Sequence, residues 1–336
     1  MLIIGRRKPR EGDDFGGVVV LYELFLDYFE NKGIKYEDID LNWRNYSNKI
    51  VFLLVIYLKI AKAILSFNHQ KISFHATTTD FTYYAPFTVF LGKIFRKRVT
   101  IRMFGGNFDK YYNNLNGIRK LIVTYALKNA SSIFFETKFL VEKFSKINET
   151  VWFPNVRNVK TKRKTNKTYE RKFVFISHVK KSKGVNLILK VLQKLPRNYT
   201  VHIFGPKQNY SPPQRLEEIF QSHYKGVLQP EEVLDAMGNY DVLLLPTFHE
   251  GEGYPGAILE AYSQSMPVIS TRWQSIPEIV EDGETGYLIA PRSVQELSKA
   301  MQSINSKNYP GLSKSALNYF DNFQQDKVME RILENL

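Results

Sequence analysis

The sequence contains no cysteine. That excludes a disulfide scaffold, a cysteine nucleophile and any zinc site built on thiolates, and it fits a cytosolic protein. The opening MLIIGRRKPREGDDF has too short an apolar run for a signal peptide. No bilayer-length apolar run is free of charge. The most apolar stretch, residues 50–67, carries Lys59 and Lys62 in its middle. The expectation is a buried helix with those lysines on its outer face; a shallow interfacial helix is the alternative. No repeat of fixed short period and no nucleic-acid-binding motif is visible.

What is present is a chain of 336 residues, which at about 100–200 residues per domain predicts two domains. Hydrophobic residues make up 43% and charged residues 24%, enough apolar material for a core in each half. The net charge is +14. Residues 1–155 hold 23 Lys and Arg against 14 Asp and Glu, and the remainder 24 against 19. The excess clusters at Arg6–Arg10, Lys93–Arg102 and Lys160–Lys172. It suits an anionic partner such as nucleic acid, acidic lipid or a phosphorylated substrate, unless the basic faces only solvate the protein.

Strand and helix patterns alternate through the second half. KFVFIS (172–177), YTVHIFG (199–205), DVLLLPT (241–247), PVIST (267–271) and TGYLIA (285–290) read as strands, with helices at 184–195, 215–223, 230–240, 257–265, 276–283 and 294–304. The strands are continuous apolar runs, the mark of a parallel sheet covered on both faces. The first half repeats the pattern less cleanly, with strands at 2–4, 71–77, 99–104 and 131–137 and helices at 19–33, 50–66, 87–95 and 120–130. The predicted organisation is a first domain over 1–156, a polar basic linker over 157–172, a second domain over 173–310, and C-terminal helices over 311–336 that pack back on the first domain. Both domains read as Rossmann-like α/β units whose parallel sheets face a central cleft.

Three segments carry chemistry. In PTFHEGEGYPGAILEAYSQSMPVIST (246–271) a strand ends at a glycine-rich loop and a helix starts near Gly256. A helix start presents free N–H groups and a partial positive charge, and glycines allow close approach, so this frame suits a diphosphate or sugar hydroxyls. Glu252 lies in the loop and Glu260 eight positions on, and carboxylates accept from sugar and ribose hydroxyls. The plainer alternative is a glycine turn with surface glutamates. In FISHVKKSKGVNLILKVL (175–192) a loop with Lys180, Lys181 and Lys183 leads to Gly184 and a helix, and a lysine there can neutralise diphosphate charge. The third segment, GDDFGGVVVLY (12–22), sets Gly16 and Gly17 before a helix, where they could approach phosphate.

Together these segments resemble retaining glycosyltransferases of the GT-B fold, in the family 4 type, or group 1 glycosyl transferases, typified by sucrose synthase and bacterial mannosyltransferases. The pattern Glu, seven residues, Glu falls on Glu252 and Glu260. Segments 224–247 and 268–291 look like the flanking regions, and WFPNV (152–156) like the stretch that closes the first domain. The resemblance implies a catalytic Glu252 beside the transferred sugar and a catalytic Lys183 at the phosphates. It implies donor binding by Glu260 at the ribose, by Gly16 and Gly17, by His178, and by the backbone at Tyr254, Pro255 and Gly256. It implies retention of configuration, no metal and no cofactor, the UDP- or GDP-linked sugar being a substrate. Three departures are visible: the family's glycine–arginine before the lysine reads Ser177–His178, its first-domain histidine falls on Phe104, and the loop reads EGYPG.

The expected function is transfer of a hexosyl group from a nucleotide sugar to a polysaccharide or lipid-linked saccharide, serving cell-envelope polysaccharide synthesis. The expected location is the cytoplasm, with peripheral contact at an anionic inner membrane face. No nucleic-acid partner is expected, because the basic residues follow no recognition helix. The alternatives are a catalytically weak or inactive GT-B partner subunit and a nucleotide-sugar epimerase or phosphorylase.

Overall fold

The computed structural model describes residues 1–10, 16–66, 69–159 and 168–336. The chain divides into two units, Met1–Asn158 with Gln325–Leu336, and Val159–Gln324.

The first unit is built on a six-stranded sheet of β1 (Leu2–Gly5), β2 (Glu37–Asp40), β3 (Lys71–Ala76), β4 (Arg98–Met103), β5 (Ser132–Phe135) and β6 (Thr150–Trp152). The order is β2-β1-β3-β4-β5-β6 and every pairing is parallel. Alternate strand residues feed opposite faces. Leu2, Ile4, Ile133 and Phe135 join one core with helices Lys49–Leu65, Ala85–Ile94 and Gly117–Asn129. Ile3 and Phe134 join the other, with Tyr22, Phe25 and Phe29 of helix Gly17–Asn31 and with Val328, Met329 and Ile332 of the last helix, Gln325–Leu333. Both sides of each central strand are therefore buried, which is why these strands carry no hydrophobic alternation. The sequence EDID of β2 lacks that signature and was not predicted. It is an edge strand whose carboxylates are used locally: Asp38 accepts from Tyr22 at 2.6 Å and Arg7 at 3.0 Å, and Asp40 from the Arg7 and Asn42 amides at 3.0 and 2.7 Å.

The second unit carries β7 (Lys172–Ile176), β8 (Thr200–Phe204), β9 (Val242–Leu245), β10 (Val268–Thr271) and β11 (Gly286–Ile289). They form a parallel sheet ordered β11-β10-β9-β7-β8. Strand β7 opens at Lys172, inside the span expected to be linker, and Asp241 ties it down by accepting from the Glu170 and Lys172 amides at 2.8 and 2.9 Å. Residues 160–167 of that span lie outside the described residues. The two C-terminal helices part company. Helix Tyr309–Phe320 packs on helix Gly256–Ser263 of the second unit, with Ser313 donating to the Ser265 carbonyl at 2.6 Å, while Gln325–Leu333 belongs to the first. The segment 276–283 holds only a short 3₁₀ turn, Ile276–Glu278.

Candidate active site in the second unit

The sheet order sets β7 beside β9, with Phe173 opposite Val242 and Val174 opposite Leu243. The loops leaving their carboxyl ends, 177–184 and 246–255, are therefore neighbours. Gly184 lets them close on each other. Its φ is +84°, and a Cβ there would lie 2.1 Å from the Pro246 carbonyl oxygen. Glycine is thus required twice over, by backbone region and by space. Phe248 N–H donates to the Ser182 carbonyl at 2.7 Å, stitching the loops together.

The closure brings Lys183 onto Glu252. The Lys183 ammonium donates to both carboxylate oxygens, at 2.7 and 2.6 Å, and both residues are buried. Thr247 Oγ1 donates to Glu252 Oε2 at 2.6 Å, so one carboxylate takes three hydrogen bonds from two neighbouring loops. The surroundings are electropositive. Burial and the adjacent Lys183 hold the Lys180 ammonium below its ordinary pKa. Burial, Lys180 and Lys183 likewise depress His249, so its imidazole is neutral at pH 7. A site with this field rewards an anion, because each cation there is easier to keep charged once a negative group arrives.

Glu260 is the fifth residue of helix Gly256–Ser263 and is half-buried. That helix starts at Gly256, after Pro255, with no side-chain cap on its first turn. Tyr254 is buried and its hydroxyl donates to Glu278 at 2.6 Å, so the phenol supports the loop from behind and leaves its backbone to the site. His178 is half-buried in the loop after β7. Gly16 and Gly17 lie in the first unit, where Gly16 precedes helix Gly17–Asn31 in extended conformation and a Cβ on either would meet nothing within 4 Å. Neither glycine is required by backbone or packing. Residues 12–15 of their loop lie outside the described residues.

Sequence reasoning missed Thr247 and His249, because a threonine after a strand and a histidine in a loop carry no pattern of their own. The position where a first-domain histidine was sought holds Phe104, buried, with Arg102 stacked on its ring at 4.7 Å. An imidazole does sit nearby. His75 of β3 lies 6.0 Å from Phe104 ring to ring, but it is enclosed against Ser73, and burial with Arg102 nearby holds it neutral.

Residues 170–306 match the family model described as "Glycosyl transferases group 1", and that segment lies within the second unit. A sulfoquinovosyl transferase of Arabidopsis thaliana is 28% identical over 138 residues, 39% of this chain and 26% of its own length. An MMP alpha-(1->4)-mannosyltransferase of Mycolicibacterium hassiacum is 27% identical over 126 residues, 35% of this chain and 30% of its own length. The chain thus spans less than a third of the length of these curated relatives. Anabaena HepE, solved in complex with UDP, superposes with a TM-score of 0.76 at 13% identity, covering 100% of this chain and 99% of its own. Sucrose-phosphate synthase from Thermosynechococcus elongatus gives 0.68 at 15% identity, covering 99% and 98%. Two parallel-sheet α/β domains with these structural neighbours make the fold GT-B.

Proposed function

We propose that this chain is a glycosyltransferase that moves a sugar from a nucleoside-diphosphate donor to a saccharide or lipid-linked saccharide, with retention of configuration and without a metal. The observation that carries the reading is the Lys183–Glu252 pair, enclosed between two strand-end loops beside a helix start. The group 1 match over the same segment and the UDP complex of HepE support it.

In this reading the donor diphosphate lies against Lys183, with Lys180 and the uncapped start of helix Gly256–Ser263 adding positive potential. The arriving diphosphate competes with Glu252 for the ammonium. Glu252, still held by Thr247, is then free to accept from sugar hydroxyls and to favour positive charge at the anomeric carbon. Lys183 stabilises the leaving diphosphate as the bond breaks, the task a divalent cation performs elsewhere. Glu260 takes the ribose hydroxyls.

The test is a panel of UDP- and GDP-sugars screened by melting temperature in the presence of a chelator, since a specific ligand stabilises the folded state by mass action. One nucleotide is expected to raise the melting of the second unit. Glu260→Ala is expected to weaken that nucleotide by about 10–100-fold, the worth of a hydrogen bond to a charged acceptor. If no nucleoside diphosphate stabilises the chain, or only a metal restores binding, the reading fails.

A further inference from the structure

One face of the first unit is apolar on its outside as well as its inside. Among the described residues, fourteen of the fifteen exposed large apolar side chains belong to the first unit, and eleven of those stand on three helices, Lys49–Leu65, Ala85–Ile94 and Gly117–Asn129. These helices form one layer, the middle one packing against both others. Helix Lys49–Leu65 shows why ordinary burial does not account for it. Phe52, Ile56 and Ile60 fill the stripe that faces the core. Ile50, Leu54 and Leu58 recur at the same four-residue spacing on the opposite stripe and are 66–72% exposed. Phe90 and Ile94 stand out from the middle helix, and Ile118 and Leu121, at 72% and 70% exposure, from the third. Single exposed leucines are ordinary; a contiguous set of this size marks an interaction surface.

The charge on this layer has one sign. Segments 49–66, 81–98 and 115–130 hold ten Lys and Arg and not one Asp or Glu. Lys59, Lys62, Arg96, Arg119 and Lys128 are all exposed among the apolar side chains. No helix of the described residues is long and apolar enough to cross a membrane. At about 1.5 Å per residue the 17-residue helix is near 25 Å long, short of a hydrocarbon core of about 30 Å.

We propose that this three-helix face is a docking surface for an anionic lipid bilayer, with Ile50, Leu54, Leu58, Phe90 and Leu121 entering the headgroup region while the lysines and arginines engage lipid phosphates. Charge selects this occupant. A second copy would set the same patch against itself, placing eight exposed bases opposite eight, of which Lys59 and Lys62 have Glu37 and Asp38 beside them. An anionic leaflet supplies both the apolar phase and the counter-charge. The proposal goes beyond the donor-site reading and stands if that reading fails.

Flotation of the full chain with vesicles of phosphatidylcholine alone, or with about a third phosphatidylglycerol, tests it. Binding to the anionic vesicles is expected to exceed neutral binding by at least about tenfold and to fall steeply with salt. Lys59→Gln, Lys62→Gln and Arg119→Gln are each expected to weaken it by about fivefold, since a basic residue near an anionic surface is worth about 1 kcal/mol. Leu54→Glu with Leu58→Glu is expected to abolish it without lowering the melting temperature, as neither side chain is buried; Val227→Glu, in the other unit, is the neutral control. The proposal is overturned if the wild-type chain does not float with anionic vesicles at low salt. It is overturned equally if the leucine variant floats unchanged, or if that variant instead splits a dimer. Nucleotide affinity, measured on the same variants, is expected to be unchanged and separates this outcome from any failure at the donor site.

Discussion

A lysine and a glutamate enclosed together lose most of their hydration, and their attraction only roughly repays that loss. The Lys183–Glu252 pair is therefore weak as a stabilising device, which is a reason to look for its use in binding. Removing one partner is another matter, because the survivor is left charged and buried. Lys183→Ala is expected to lower the stability of the second unit by about 3–5 kcal/mol, and Lys183→Ala combined with Glu252→Gln to recover part of that loss. The measurement is a double-mutant cycle by denaturant unfolding. An additive cycle would mean the two residues do not share the bond the structure gives them. Catalysis is read on variants that still fold. Glu252→Gln is expected to cut turnover far more than it weakens donor binding, as for an interaction that strengthens in the transition state. Each partner was legible in the sequence by its own surroundings, a lysine before Gly184 and a glutamate eight positions before Glu260. Their contact was not. They stand 69 residues apart, and only the β9-β7 adjacency joins them.

At the level of elements, the most constrained point near the site is a backbone position. Gly184 sits where helix Val185–Leu192 begins, and the Pro246 carbonyl occupies the space a side chain would need. Backbone cannot be displaced as the tip of a side chain can. Gly184→Ala is expected to lose about 1–3 kcal/mol for the left-handed conformation alone, plus whatever is needed to part the two loops. Parting them moves Lys183 away from the place proposed for the diphosphate, so nucleotide affinity is expected to fall. Calorimetric titration checks this, and unaltered affinity would show that loop closure does not set the site. Elements were legible wherever the strand is buried on both faces. The polar edge strand β2 was not, since its carboxylates serve Arg7, Tyr22 and Asn45 in place of a core. Helix Lys49–Leu65 was legible as a helix with its lysines outward. Which of its apolar residues face the core was not, because a helix that is apolar all round has no pattern that singles out one side.

At the scale of the molecule, the chain crosses twice between its two units. It leaves the first near Asn158 and returns at Gln325. The return is structural: Gln325 N–H donates to the Arg157 carbonyl at 3.2 Å, and its side chain donates to the Leu24 carbonyl of helix Gly17–Asn31. Val328, Met329 and Ile332 then complete the core under Tyr22, Phe25 and Phe29. The last twelve residues are thus part of a domain whose other residues end some 170 positions earlier. Burying each of those three side chains is worth about 1.5–3 kcal/mol, together a large share of the about 5–15 kcal/mol that holds a typical domain. Ile332→Ala is expected to lower the stability of the first unit by about 2–5 kcal/mol, although Ile332 is the fifth residue from the end of the chain. The second unit has a separate core and holds both Lys183 and Glu252. Calorimetry on the variant with and without the matching nucleotide is therefore expected to show one transition displaced downward by the substitution and the other displaced upward by the ligand, each by the same amount as when the two changes are made singly. A ligand shift lost in Ile332→Ala would mean that the first unit's core supports donor binding directly.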